Sequence, residues 1–331
     1  MRIVSFVVLC MILFLGSVGL ADSTHYLTQD TIYVDDDNIN GPWDGSFDHP
    51  FQFIQDGVNT ATNGDIVEVL EGIYTEQIII QTGISLIGDP GTIIQGDEQH
   101  SSLLIQADDV VLSGFIFSDG GDRLNASCDI AGDDCIISEN VFYGEMSVGI
   151  AIHDSSNGLI ENNMISDCGF AGIHIHGNSE KNVITQNQVD ECSSGIYCFR
   201  SSDQLISQNR VSNASKGIYL EECTACLIER NVVIENSQGI FASYASDNLI
   251  TENNVLSNVE QAKLTTWLSP EGLPLSRWVR NYWDDIRGVF PKWIPGLLFI
   301  PTNDPIGIFL PWGAFDWHPA SEPYVIDTGD N

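Results

Sequence analysis

The 331-residue chain carries 12 Lys and Arg against 46 Asp and Glu, a formal net charge of −34. Repulsion on that scale excludes DNA, RNA and anionic lipid surfaces as partners, and it disfavours anionic polysaccharides unless divalent cations bridge them. The length suffices for one elongated domain or two compact ones, with a core that forms without cross-links.

The first 21 residues, "MRIVSFVVLCMILFLGSVGLA", hold one Arg, an apolar run and the small residues Gly19 and Ala21. This order predicts a cleaved signal peptide over 1–21 and a secreted or cell-surface protein, with no transmembrane domain after cleavage. A retained anchor is the alternative, because the run is close to the length a spanning helix needs. Residues 22–65 read as an N-terminal cap. Within it Phe53, Ile54, Val58 and Ala61 share one helical face between Pro50 and Gly64, and an amphipathic helix there would cover the open edge of a first coil. The acids of "DDDN" at 35–38, with Asp44 and Asp48, offer oxygens to Ca²⁺, without the fixed spacing of a calcium loop.

Residues 66–259 are organised as a repeat, regular from about residue 135. "GIAIH" at 149, "GIHIH" at 172, "GIYCF" at 195, "GIYLE" at 217 and "GIFAS" at 239 recur every 22 or 23 residues. Each is followed by a second shared piece, such as "VITQNQV", that places Asn at 163, 187, 209, 231 and 253, with Asn140 one turn earlier. Each repeat holds three short β-type runs and none long enough for a helix. Such a unit cannot bury its own apolar face, so successive copies must stack into an all-β parallel solenoid. The Asn column then forms a hydrogen-bonded ladder, one amide per coil at about 4.8 Å.

The phase of the Gly-Ile pair assigns each side chain to a face. Ile150, Ile173, Ile196, Ile218 and Ile240 point inward, with Ile152, Ile175, Cys198, Leu220 and Ala242. Ala151, His174, Tyr197, Tyr219 and Phe241 form one outward column, and His153, His176, Phe199, Glu221 and Ser243 its neighbour. Exposed aromatics at this spacing offer a flat platform to sugar rings, and His174, Tyr197, Phe199, Tyr219 and Phe241 are the carbohydrate-binding candidates; ring stacking that merely stabilises the sheet is the alternative.

Other chemistry on that face is thinner. His153, His174 and His176, with Asp154, are candidate ligands for a transition metal, although solvated histidines on an exposed strand are commoner. Hydrolysis needs two facing carboxylates, and the columns supply only Glu221. Lyase or epimerase chemistry needs a base beside a cation, for which His174 or His176 with Arg200 is the available set. No cofactor is required by any of these patterns.

Seven cysteines follow the leader, an odd number. Cys168 and Cys192 precede the Gly-Ile of adjacent coils and are expected to stack at disulfide distance; Cys128 with Cys135, and Cys223 with Cys226, can close small loops. Asn125 and Asn213 begin possible glycosylation sequons. After Val259 the repeat stops. Residues 260–331 hold six of the seven Trp (267, 278, 283, 293, 312 and 317), and Pro295, Pro301, Pro305 and Pro311 make their apolar run a poor spanning helix. A cap folded over the last coil is expected there, with a lipid- or partner-binding patch as the alternative.

"YVDDDNINGPWDGSFDHPFQFIQDGVNTATNGDIVEVLEGIYTEQIII", the Gly-Ile and Asn repeats, "RNYWDD" and "FDWHPASEPY" together resemble secreted right-handed parallel β-helix proteins of the pectate-lyase-like superfamily, notably NosD-like and carbohydrate-binding or sugar-hydrolase types. The resemblance covers nearly the whole mature chain. It implies a right-handed parallel β-helix with an N-terminal capping helix and a Trp/Pro-rich C-terminal cap. For function it implies a range: a monomeric glycan-binding protein first, then a polysaccharide lyase, hydrolase or epimerase, then a structural or metal-handling surface protein.

Overall fold

The computed structural model describes residues 29–96, 100–118, 126–144, 146–267, 275–286, 291–300 and 308–329. The proposed signal peptide and Asn125 lie outside the described residues. Each repeat contributes one strand to each of three parallel columns. Column A carries Met146–His153, Cys168–His176, Ser194–Phe199, Lys216–Glu221 and Gln238–Ser243. Column B carries Leu159–Glu161, Val183–Thr185, Leu205–Ser207, Leu227–Glu229 and Leu249–Thr251, and column C follows with Met164–Ser166, Gln188–Asp190, Arg210–Ser212, Val232–Ile234 and Asn254–Leu256. The less regular upstream segments belong to the same columns: Ile78–Ile80, Leu103–Ile105 and Ala126–Ile130 pair in sequence above Met146–His153.

Register is one-to-one from coil to coil, so like residues stack on like. Ile150, Ile173, Ile196, Ile218 and Ile240 pair directly and are fully buried. In the coil of Ile173, Ile175, Ile184 and Val189 close the interior from the three columns. Each such side chain contributes about 1.5–3 kcal/mol by leaving water, which a single coil could not collect alone.

The corners between columns are made by single residues in the left-handed region, and most are not glycine. Arg200 and Asp203 (φ 50° and 55°) turn A into B, Gln208 (φ 56°) turns B into C, and Asn213 (φ 53°) turns C back to A. One αL residue between extended neighbours bends the chain sharply while leaving the next backbone groups aimed along the solenoid axis. Gly114 (φ 88°) is a corner where glycine is required, because a Cβ there would lie 2.3 Å from the Gly88 carbonyl oxygen.

The Asn ladder forms as expected and extends further. Nδ2 of Asn140, 163, 187, 209, 231 and 253 each donates to Oδ1 of the next Asn, ending at Asn281. Asn281 Nδ2 donates in turn to Oδ2 of the fully buried Asp316, which also accepts from Trp283 Nε1 at 3.1 Å. All the amide dipoles therefore point one way, toward a carboxylate.

A helix at Ile54–Thr60 packs against the first strands, with Ile54, Gly57 and Val58 buried. Phe53 departs from the expected face: it is the N-cap, in extended conformation, and 51% exposed. Glu76 caps this end by accepting from the Ile54 and Gln55 N–H groups. Downstream, Lys292–Ile300 and Ile308–Asp316 pair as an antiparallel hairpin, attached to the last coil through Leu264–Trp267 in parallel with Gly296–Phe299. Ile294 and Leu298 are buried against that coil, while Trp293, Phe309 and Phe315 remain exposed. Residues beyond the hairpin run back over the coils, where Tyr324 and Asn254 exchange two hydrogen bonds.

All seven described cysteines are free and buried. Cys168 and Cys192 do meet as thiols on adjacent coils. The Cys135 thiol lies against the Ala107 and Gly132 carbonyls, and Cys223 Sγ lies 3.0 Å from Cys198 Sγ with Cys226 alongside.

Candidate functional site

Alternation in column A projects two lines of side chains outward, and pairing fixes their order as Asp129, Ala151, His174, Tyr197, Tyr219, Phe241 and Lys263 along the first. His174 stacks on Tyr197 with centroids 4.8 Å apart, Tyr197 on Tyr219 at 4.7 Å and Tyr219 on Phe241 at 5.0 Å, all within 10° of parallel. This differs from a flat platform. Most of each ring face is turned to the ring above or below, Tyr219 is only 7% exposed, and the ladder presents ring edges to solvent. Ala151 breaks it at the upper end, where Phe170 closes edge-on against His174 and Tyr197. Phe170 is 43% exposed.

The second line supplies polar groups beside the ladder. Glu221 Oε2 accepts from the Tyr197 hydroxyl at 2.5 Å, and burial, with this carboxylate second, pushes the Tyr197 and Tyr219 hydroxyls up from their ordinary range. The Lys216 ammonium lies 3.6 Å from the Tyr219 ring centre, and burial lowers its pKa. Phe199 stands apart from the ladder, under the Arg200 guanidinium at 4.8 Å. Arg200 is exposed and paired with Glu222 at 2.7 Å, so it is already matched by a carboxylate of the next coil.

Three histidines form a separate stack at the upper end. His153 lies on His176 (5.6 Å) and His176 on His174 (4.5 Å). Asp129 Oδ1 binds His153 Nδ1 at 2.8 Å and raises the His153 pKa. Burial, with His176 alongside, lowers His174 to about 4, and its Nε2 is enclosed without a hydrogen-bond partner among the described residues. Burial and the neighbouring His153 also lower His176. Asp154 faces the other way in its bonding, accepting from the Asn178 N–H at 3.1 Å. Stacked imidazoles aim their nitrogen lone pairs in parallel planes, and among the described residues no three His, Cys, Asp or Glu side chains are gathered as a metal site. At the N-terminal acids, Asp36 accepts from the Ile73 N–H and Asp44 from the Ser46 N–H.

Sequence reasoning missed Asp129, Phe170 and Lys216. Asp129 lies on a coil without the Gly-Ile pair, and only extending the column one step upward reveals it. Phe170 sits in a lengthened strand, where a bulge between Met146 and Val148 marks the irregular coil. Lys216 immediately precedes a Gly-Ile pair, where alternation puts it on the inward side with Ile218, yet at the first residue of its strand its ammonium reaches the Tyr219 ring.

No curated protein matches this sequence. Among solved structures, XylC in complex with xylose superposes with a TM-score of 0.59 at 12% identity, over 80% of this chain and 71% of that one. Pectate lyase Pel9A gives 0.55 at 13% identity (72% and 74%), and the periplasmic alginate epimerase AlgG 0.51 at 14% (72% and 66%). These likenesses agree on the right-handed parallel β-helix. Residues 59–288 match the family model described as periplasmic copper-binding protein (NosD), and since that stretch is well over half of the sequence, the chain belongs to the NosD family of β-helix proteins.

Proposed function

We propose that this protein is exported and binds a saccharide along the outer side of column A, between Asp129 and Lys263. The observation that carries this reading is the unbroken ring ladder from His174 to Phe241 with hydrogen-bonding groups set beside it, coil after coil. A saccharide is itself a repeating array of hydroxyls and apolar C–H edges, and groups repeating along a straight wall suit it. The exposed ring available for sugar stacking is Phe170. His174, Tyr197, Tyr219 and Phe241 give a rigid edge, and Glu221 and His176 accept hydrogen bonds. The net charge of −34 favours a neutral glycan. Proteins of the same fold named for xylose, pectate and alginate are consistent with sugar as the ligand class.

The test is calorimetry and glycan-array binding with neutral and anionic oligosaccharides. Retention of neutral glycans that is lost in Phe170→Ala and weakened in Glu221→Gln is the expected result. No glycan retained at millimolar concentration would overturn the proposal.

One observation favours acid–base chemistry as a second reading. His153 is raised by its hydrogen bond to Asp129 while burial lowers the adjacent His176, so two imidazoles of unlike basicity stand side by side. That pair suits proton abstraction and return, as a lyase or epimerase requires. Glycosidic hydrolysis fits less well, because Asp129 and Glu221 are four coil steps apart, roughly 19 Å against the roughly 5–10 Å that paired carboxylates need. Unsaturated or epimerised product from a polysaccharide panel, abolished in His153→Gln, would support it. The family description also names copper, but the stacked imidazoles and the Asp129-bound His153 do not fit a copper site among the described residues.

A further inference from the structure

The interior holds a cluster of sulfur that the outward face does not use. Cys198 lies on column A between Tyr197 and Phe199, and Cys223 lies at the following corner of the next coil, two residues after Glu221. Their Sγ atoms are 3.0 Å apart, closer than an ordinary contact between two sulfurs. Cys226 Sγ is within hydrogen-bonding reach of both. All three are at most 1% exposed. Their neighbours along the axis are of other kinds: Ser201 and Ala245 above and below Cys223, Gln204 and Asn248 above and below Cys226. Three thiols in mutual contact are therefore not imposed by the repeat.

We propose that Cys198 and Cys223 are a cross-coil disulfide site, closed when the chain folds under oxidising conditions, with Cys226 left as a free thiol against the bond. The oxidant is a small-molecule disulfide such as oxidised glutathione. The Cys223 thiolate attacks one sulfur of the oxidant and releases one thiol, leaving a mixed disulfide. The Cys198 thiolate then attacks the Cys223 sulfur and releases the second thiol. Two protein thiols are oxidised, one disulfide is reduced, and the two protons leave with the released thiols. Because the folded cluster is buried, exchange takes place before the coil bearing Cys223 docks, and the finished bond is shielded from reductant. Closure needs the sulfurs to approach from 3.0 Å to the roughly 2.05 Å of a disulfide, a side-chain rotation that leaves the coils in place. The bond would fix the two strands that carry Tyr197 and Glu221, so it braces the site whatever that site binds.

Refolding the protein in a glutathione redox buffer, alkylating it under denaturing conditions and digesting with trypsin tests the assignment. Cleavage after Lys181, Arg200, Lys216 and Arg230 separates residues 182–200, which hold Cys192 and Cys198, from 217–230, which hold Cys223 and Cys226. The expected product is a cross-link between these two peptides, with fragmentation placing it at Cys198 and Cys223 and with Cys226 alkylated. Cys226→Ala should retain it and Cys223→Ala abolish it. The reductant-dependent drop in Tm should likewise persist in the first variant and vanish in the second. A loop within 217–230 joining Cys223 to Cys226, or full alkylation of all three cysteines, would overturn the proposal. Alanine already occupies the Cys223 position one coil on, at Ala245, so the variant keeps a residue the stack accepts.

Discussion

Asp129 reaches diagonally across one coil to hold His153, with Oδ1 2.8 Å from Nδ1. The contact raises the folded-state pKa of His153 above its unfolded value. The sign follows from linkage: stabilisation by this pair is complete below the ordinary histidine value of about 6.5 and fades as pH rises through the higher folded value. Asp129→Asn should therefore lower Tm most near pH 6, and the gap to wild type should narrow toward pH 9. A gap that is the same at both pH values would mean that Asp129 acts only by packing.

His174 behaves in the opposite sense. Enclosed against Tyr197 and His176, it is held near pKa 4, so between that value and about 6.5 the unfolded chain binds a proton that the folded chain refuses. Stability should fall on acidification across this window, by roughly 2–3 kcal/mol from this residue alone. His174→Tyr, which continues the Tyr197 and Tyr219 stack, should remove that part of the loss. Urea denaturation at pH 7 and pH 4.5 measures it as a smaller drop in the variant than in wild type.

The contrast between these histidines shows what periodicity carries and what it leaves out. The Gly-Ile phase placed Ile173 and Ile175 inside and His174 and His176 outside, and the Asn column at 163 to 253 was legible because one residue type recurs at one position. Ring orientation was not legible: alternation says which side of the strand Tyr197 leaves from, while the face-to-face ladder depends on side-chain rotamers shared with its neighbours. The corners were hidden for a different reason. Arg200, Gln208 and Lys181 carry no turn signature one by one, and the backbone accepts αL there because each corner's N–H bonds the next coil. Phe53 followed the helical period on paper, yet it precedes the first helical residue and turns away. Cys223 was paired by sequence proximity with Cys226, whereas stacking brings it to Cys198 from the coil before.

Within the Asn ladder the cost of substitution should be large and specific. Asn209 Nδ2 donates to the Ile184 and Ser207 carbonyls and to Asn231 Oδ1, while its own Oδ1 accepts from Asn187. Truncation to Ala leaves several buried groups without partners at roughly 1–3 kcal/mol each, so Asn209→Ala should lose at least about 3 kcal/mol. Asn209→Asp keeps the acceptor but aims an anionic oxygen at three other oxygens. Its loss should exceed that of Ala at pH 7 and shrink in acid, where a protonated carboxyl donates one bond again. Chemical denaturation of the two variants at pH 7 and pH 5 tests both statements.

Two alanines in neighbouring coils should respond in opposite directions to the same change. Ala225 is a corner residue at φ 57°, where its methyl group opposes the left-handed backbone at about 1–2 kcal/mol. Glycine relieves that strain but adds freedom to the unfolded chain, worth about 0.4–1 kcal/mol the other way. Ala225→Gly should therefore gain up to about 1 kcal/mol. Ala214 is outside the left-handed set and 3% exposed, and its N–H is bound by Asn236 Oδ1 at 2.9 Å. Nothing is relieved there, and glycine both frees the unfolded chain and removes a buried methyl, so Ala214→Gly should lose about 1 kcal/mol or more. Equal and negative effects at the two sites, read from denaturation midpoints, would show that the corners are relaxed and that the αL column stores no strain.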